Sequence, residues 1–130
     1  MDDETITTAV GKFKRSEDFN AYYSNNVQFD FSAYDLKLIF GEQEQFGENR
    51  SFVEQHSSVT VTWLQAKLLQ FFLQNYIAIY EANYGKINIP TELLPKEIDP
   101  PTEEQQKNVP KAKEIFEILK TRREQFLSSL

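Results

Sequence analysis

Apolar side chains change their spacing twice along this chain, and each change marks a different kind of element. Residues 1–19 are polar and charged, with Ile6, Val10, Phe13 and Phe19 as isolated apolar points. This stretch reads as an N-terminal tail with one edge strand near Ile6 to Val10. From Tyr22 the pattern tightens: Val27, Phe29 and Phe31 alternate with Gln28 and Asp30, the period of two that belongs to a half-buried strand. After Ser32-Ala33-Tyr34-Asp35, the residues Leu36, Leu38 and Phe40 alternate again until Gly41, so the two runs should pair as a hairpin. Residues 42–51 are polar, carry Gly47 and read as a loop. A third strand is predicted from Phe52 to Thr62, with Val59 and Val61 turned inward.

The period then lengthens. Thr62 with Gln65 three positions on matches the capping-box pattern, in which side chains and amides satisfy one another at a helix start. A helix is predicted from there to about Tyr84, closed by Gly85, which takes left-handed backbone easily. On a helical wheel, Ala66, Leu68, Leu69, Phe72, Leu73, Tyr76, Ile77, Ile79 and Tyr80 fill one half, and Lys67, Gln70, Gln74, Asn75 and Glu81 the other. Phe71 lies in the polar arc with only Ala78 for apolar company. Half a wheel is more than one sheet face covers, so part of this helix is expected to meet a second surface.

Pro90, Pro95, Pro100 and Pro101 disfavour both helix and ladder, so residues 90–101 read as an extended linker. Thr102-Glu103-Glu104-Gln105 repeats the capping box and opens a C-terminal helix over 102–130, bent or restarted at Pro110. Within it Val109, Ala112, Phe116, Leu119, Arg123, Phe126 and Leu130 are spaced by alternating threes and fours, a heptad seam interrupted once by Arg123. The pattern therefore predicts an α+β fold: a small antiparallel sheet of three or four strands packed by a long amphipathic helix, in a core over 20–89. A proline-rich linker and a C-terminal helix follow.

Composition narrows the partners. The chain has 130 residues, enough for one domain, and its 14% aromatic content suits a folded chain. A net charge of −6 without a Lys/Arg-rich run disfavours nucleic acid, whose phosphates need a concentrated positive footprint. Membrane insertion is not expected, because the apolar run from Leu68 to Leu73 is short and broken by Gln70. The acidic start Met1-Asp2-Asp3-Glu4 is unlike a secretion signal, and zero cysteines suit a reducing compartment, so a cytoplasmic location is expected.

Few residues combine into chemistry. Glu54 and His56 share a face of the third strand as it reads from sequence, but a catalytic zinc takes three protein ligands and no third is at hand. His56 is expected to be solvated or at a subunit interface. Asp35 sits at the strand turn, where Asp commonly caps amides. Ser57-Ser58 and Ser128-Ser129 lack the flanking glycines of a nucleophile elbow, and Gly11-Lys12 lacks the rest of a phosphate loop. Tyr22, Tyr23, Phe29, Phe31 and Phe40 could stack bases, yet no basic groove accompanies them, so they are assigned to the core. No catalytic residue, metal or cofactor is expected.

Asn25-Asn26-Val27, Asp35-Leu36, Phe40-Gly41, Ala66-Lys67, Asn75, Tyr80-Glu81 and Gly85-Lys86-Ile87 together resemble a family of small bacterial proteins known as a domain of unknown function. The resemblance covers about residues 22–90. The chain departs from the family pattern at Trp63, where proline is usual, which alters only the pre-organisation of the helix start. The layout is also similar to the SecB export chaperone, by architecture and acidity alone.

These readings converge on a non-enzymatic, homo-oligomeric protein-binding or adaptor protein. It would form a dimer or higher assembly with itself and engage another protein through its sheet and helix surface and its C-terminal helix. The candidate interface residues are Phe71, Tyr76, Val109, Phe116, Leu119 and Phe126. The alternatives are a SecB-like client-holding chaperone and a small enzyme using Asp35, His56 or a tyrosine at an inter-subunit site.

Overall fold

The computed structural model describes residues 5–8, 11–46 and 50–130. The chain is α+β and divides into two compact units, Met1–Phe71 and Phe72–Leu130, with the division inside the long helix.

The first unit holds two antiparallel sheets. β1 (Thr5–Thr8) and β2 (Gly11–Lys14) form a two-stranded sheet, so two strands stand in the stretch where one edge strand is predicted. Ala9 and Val10 lie outside the described residues. β3 (Asn26–Phe31), β4 (Asp35–Phe46) and β5 (Arg50–Thr62) form a three-stranded antiparallel sheet in sequence order, the small sheet that the pattern predicts, beside the separate two-stranded one. The β3–β4 hairpin is the predicted one. Its turn is held by Ser32, whose hydroxyl accepts from the amides of Tyr34 (3.0 Å) and Asp35 (3.2 Å) and donates to Asp35 Oδ1 (3.1 Å). Ser32 is therefore the group that accepts from the turn amides, and the Asp35 carboxylate orients it.

Strand pairing corrects the predicted loop over 42–51. β4 runs through Gly41 to Phe46 and pairs with Arg50 onward in β5, and only 47–49, Gly47 included, lie outside the described residues. Gly41 is where the register slips rather than where the strand ends: Phe40 opposes Ser57 but Gly41 opposes Gln55, leaving His56 as the extra residue of a β-bulge. The slip resets the alternation, so Glu54 falls on the face of Ser57 and Val59, and the face shared by Glu54 and His56 in the sequence reading does not survive.

Gly41 is required there by space. A Cβ on it would stand 2.6 Å from the Glu54 carbonyl oxygen and 2.9 Å from a Val53 methyl. Segment 22–25 brackets the bulge: the Asn25 amide donates to Gly41 O (3.1 Å), Gly41 N donates to Ser24 Oγ (3.2 Å), and Gln43 N donates to Asn25 Oδ1 (2.6 Å). Asn25 thus continues the pairing of β4 one step beyond the end of β3.

α1 (Trp63–Tyr84) begins on the residue after β5 with no connecting residue between them. The Gln65 amide donates to Thr62 Oγ1 at 3.1 Å, as the cap pattern predicts. Trp63, in place of the usual proline, donates its indole N–H to Ser32 O (3.0 Å) and meets Phe31 edge-on at 6.2 Å, fixing the helix start to the β3–β4 turn. The helix ends where expected, with Gly85 at φ 95° donating to Glu81 O.

In the second unit a 3₁₀ turn at Thr91–Leu93 interrupts an otherwise extended segment. α2 (Glu103–Asn108) carries the complete capping box of Thr102 and Gln105. The helix is then broken at Pro110, Lys111 takes left-handed backbone (φ 59°), and α3 (Ala112–Ser128) begins.

Replacing Gly41 with Ala should therefore destabilise the chain by about 1–3 kcal/mol, the usual effect of overpacking a closed site. Urea unfolding of the two proteins side by side measures it; an unchanged midpoint would show that β5 shifts freely at the bulge.

Candidate interaction surfaces

The register defines one apolar sheet face. Phe31, Leu36 and Val61 form one row across the strands, Phe29, Leu38 and Val59 the next, and Val27, Phe40 and Ser57 the third. The opposite face carries Asn26, Gln28, Asp30, Lys37, Ser58 and Thr60, with Ile39 between Gln28 and Ser58 as a large apolar exception, so it is mostly polar. The apolar patch stops at the bulge, beyond which Glu42 stands opposite Glu54.

Such a face normally lies against a second layer. Here it does not: Phe29 is 64% and Phe31 74% exposed, and Val59 is exposed with them. Among the described residues no apolar side chain of the chain is buried, and Gly41 alone falls in the buried class. α1 has no buried residue either. Its predicted apolar arc is open along its length, with Leu68, Leu73, Tyr76 and Ile79 all exposed. Of the candidate residues on α1, Tyr76 (69% exposed) belongs to this arc, and Phe71 (57% exposed) lies in the polar one.

The other four candidates lie in the second unit, on a different surface. The extended segment 94–101 runs along α3 as a strap. Ile98, Asp99 and Pro101 line a groove with Val109, Ala112, Phe116 and Leu119, and at about 280 Å³ it falls just under the roughly 300–1,000 Å³ of small-molecule sites. Further along, Ile87 and Ile89 stand with Ile77, Phe126 and Leu130 around a second depression. Arg123, the residue that interrupts the heptad spacing, donates from Nε to Pro95 O at 2.9 Å and fastens the strap. Lys86 Nζ reaches Ser129 O at 3.3 Å at the other end. The seam is thus covered from one side by its own chain: Phe116 is half-buried, whereas Val109, Leu119 and Phe126 remain exposed. Sequence reasoning missed the strap, whose only signal was that apolar Ile87, Ile89, Leu94 and Ile98 recur among the prolines.

His56 is half-buried rather than free in solvent. It stacks on Tyr22 (4.7 Å between ring centres, 15° between planes), and its Nε2 stands 2.8 Å from Tyr23 O. A carbonyl only accepts, so Nε2 carries a proton; Nδ1 is 2.8 Å from Ser57 Oγ. Nε2 and the stack on Tyr22 tie segment 22–25 to β5, and Nδ1 is engaged within β5. Among the described residues no group of three or more His, Cys, Asp or Glu is placed to hold a metal ion, and no helix is long and apolar enough to cross a membrane.

Fold and surface together define a small α+β protein built around uncovered apolar faces rather than a cleft. The chain belongs to the family described as protein of unknown function (DUF3467), whose model matches residues 4–89. The match reaches further toward the N-terminus than the resemblance over 22–90 and takes in β1 and β2, while α2 and α3 lie beyond it. No curated protein and no solved structure matches the chain.

The strap gives a measurable expectation. A fully buried Phe→Ala change costs roughly 3–5 kcal/mol, and the partial exposure of Phe116 brings the expected loss for Phe116→Ala to about 2 kcal/mol. Thermal unfolding checks it; no loss would mean that α3 and the strap part readily.

Proposed function

We propose that this protein is a non-enzymatic, homo-oligomeric binding protein that acts on other proteins as an adaptor. One observation carries the reading: the apolar face of the three-stranded sheet has no cover among the described residues. Folded monomers seldom leave a contiguous patch of large apolar residues open, and such patches mark protein interfaces. The first partner is the chain itself, through the sheet and α1. The second is another protein, met by the exposed part of α3, where Ile118, Leu119 and Phe126 keep much of their surface in solvent. The absence of a Lys/Arg-rich run on a chain of net charge −6 supports protein rather than nucleic acid as that partner.

Light scattering at micromolar concentration tests the reading. The expected mass is twice 15.2 kDa or more, with a melting temperature that rises with protein concentration, as it does where folding and association are linked. A single species at the mass of one chain, with a concentration-independent melt, removes it. An assembly that still binds an apolar dye strongly would favour the client-holding alternative, whose grooves stay open after association.

A further inference from the structure

We propose that the apolar face of the three-stranded sheet is the seat for α1 of a second copy of this chain, each copy giving its helix and receiving its partner's. The proposal rests on the oligomeric reading above and names the occupant of the surface.

Connectivity comes first. A helix that returns over the sheet it follows needs a connection of two or more residues to reverse the chain. β5 ends at Thr62 and α1 starts at Trp63, and the indole hydrogen bond to Ser32 O pins that first turn at the end of the sheet. With no connecting residue, the chain lacks the loop that a helix returning over its own sheet uses, and both surfaces are apolar and open.

Size comes next. Three strands about 4.8 Å apart make a patch about one helix diameter wide, since a helix with its side chains measures roughly 10–12 Å. Its three rows of apolar residues match a few helical turns, such as those carrying Leu68, Leu69, Leu73 and Tyr76. One helix fits the seat.

Reciprocity then selects a second copy over a foreign helix. Among the described residues the chain carries one such sheet face and, in α1, one long helix whose apolar arc is open, so a two-fold pair satisfies both at once and closes. A sheet-on-sheet pair would leave both helices open, and a helix-on-helix pair both sheets.

The absence of native cysteine makes the test direct. Val59→Cys marks the sheet face; Leu69→Cys, Leu73→Cys and Tyr76→Cys mark the helix arc, and Gln74→Cys marks its polar side. Each full-length chain carries one cysteine, so a link between a sheet variant and a helix variant is necessarily between chains. The sheet variant is co-refolded with each helix variant and treated with a short bis-maleimide. The expected result is a sheet-to-helix product of two chain masses with at least one arc position, at several times the yield with Gln74→Cys. Phe29→Cys replaces Val59→Cys if the latter does not refold. Preferential linking of Val59→Cys to itself, or of the helix variants to themselves, overturns the exchange. So does an assembly, established by light scattering, in which no sheet-to-helix link forms; the oligomeric reading then stands without it. A single-chain mass at every concentration ends both.

Discussion

The passage from Thr62 to Trp63, strand to helix with no residue between, is the constraint on which the rest of the molecule depends. It is held on both sides. Thr62 accepts from the third amide of the helix, and Trp63 hydrogen-bonds the carbonyl of Ser32 in the neighbouring turn. Those contacts fix where the helix starts and leave no slack for it to reverse. The consequence is a chain that makes complete secondary structure without burying it. Strand pairing satisfies the backbone of the sheet, and caps satisfy the ends of α1 and α2. Among the described residues the apolar side chains that would supply the hydrophobic term are at most half-buried. Hydrogen bonds of this kind contribute only about 0.5–1.5 kcal/mol each, net of what water offers, so they direct the fold more than they stabilise it.

The second unit manages the same shortage differently. Here the chain turns back on itself, and an extended segment covers one side of α3. Proline suits a strap because its restricted φ lowers the entropy lost on ordering, and its missing N–H leaves no donor unsatisfied. Arg123 supplies the polar fastening that an apolar residue at that position could not. The cover is partial. Phe126 and Leu119 keep much of their surface, and the unit therefore retains an open apolar edge after its own contacts are made.

Much of this was legible from spacing. The strands at 26–31 and 35–40, the limits of α1, the break at Pro110 and the α+β class all follow from residues whose spacing separates an apolar from a polar side or marks a cap or a break. What escaped has a common cause. Glu42 to Gln45 form strand although neither side of that arm is apolar, so no period of two exists to be read. β1 and β2 are hidden in the same way. Gly41 looks like a terminator because glycine usually is one; its role at a bulge depends on the approach of Glu54 and Val53, which spacing does not report. His56 was placed in solvent or at an interface, and its tie to Tyr22 and Tyr23 spans 33 positions along the chain. Arg123 looked like a flaw in a heptad because its partner, the carbonyl of Pro95, has no sequence signature. The interface candidates themselves fell on two separate surfaces, Phe71 and Tyr76 on α1 and the other four around α3.

An open apolar face raises the question of what prevents indiscriminate association. Part of the answer is charge. A net −6 over 130 residues sets copies repelling one another at long range, while screening at physiological salt limits that repulsion to about 8 Å. Only an encounter that buries enough apolar area at contact overcomes it. The polar sheet face and the acidic pair Glu42 and Glu54 beyond the bulge restrict where such contact is possible. The bulge also twists β5 where the apolar patch ends, which discourages continuation of the sheet into an unlimited edge-to-edge stack. Repulsion at distance and attraction confined to one bounded face together favour a closed, finite assembly over aggregation. The features that leave the sheet's apolar face open among the described residues are thus the ones that bound the surface the proposed assembly would cover.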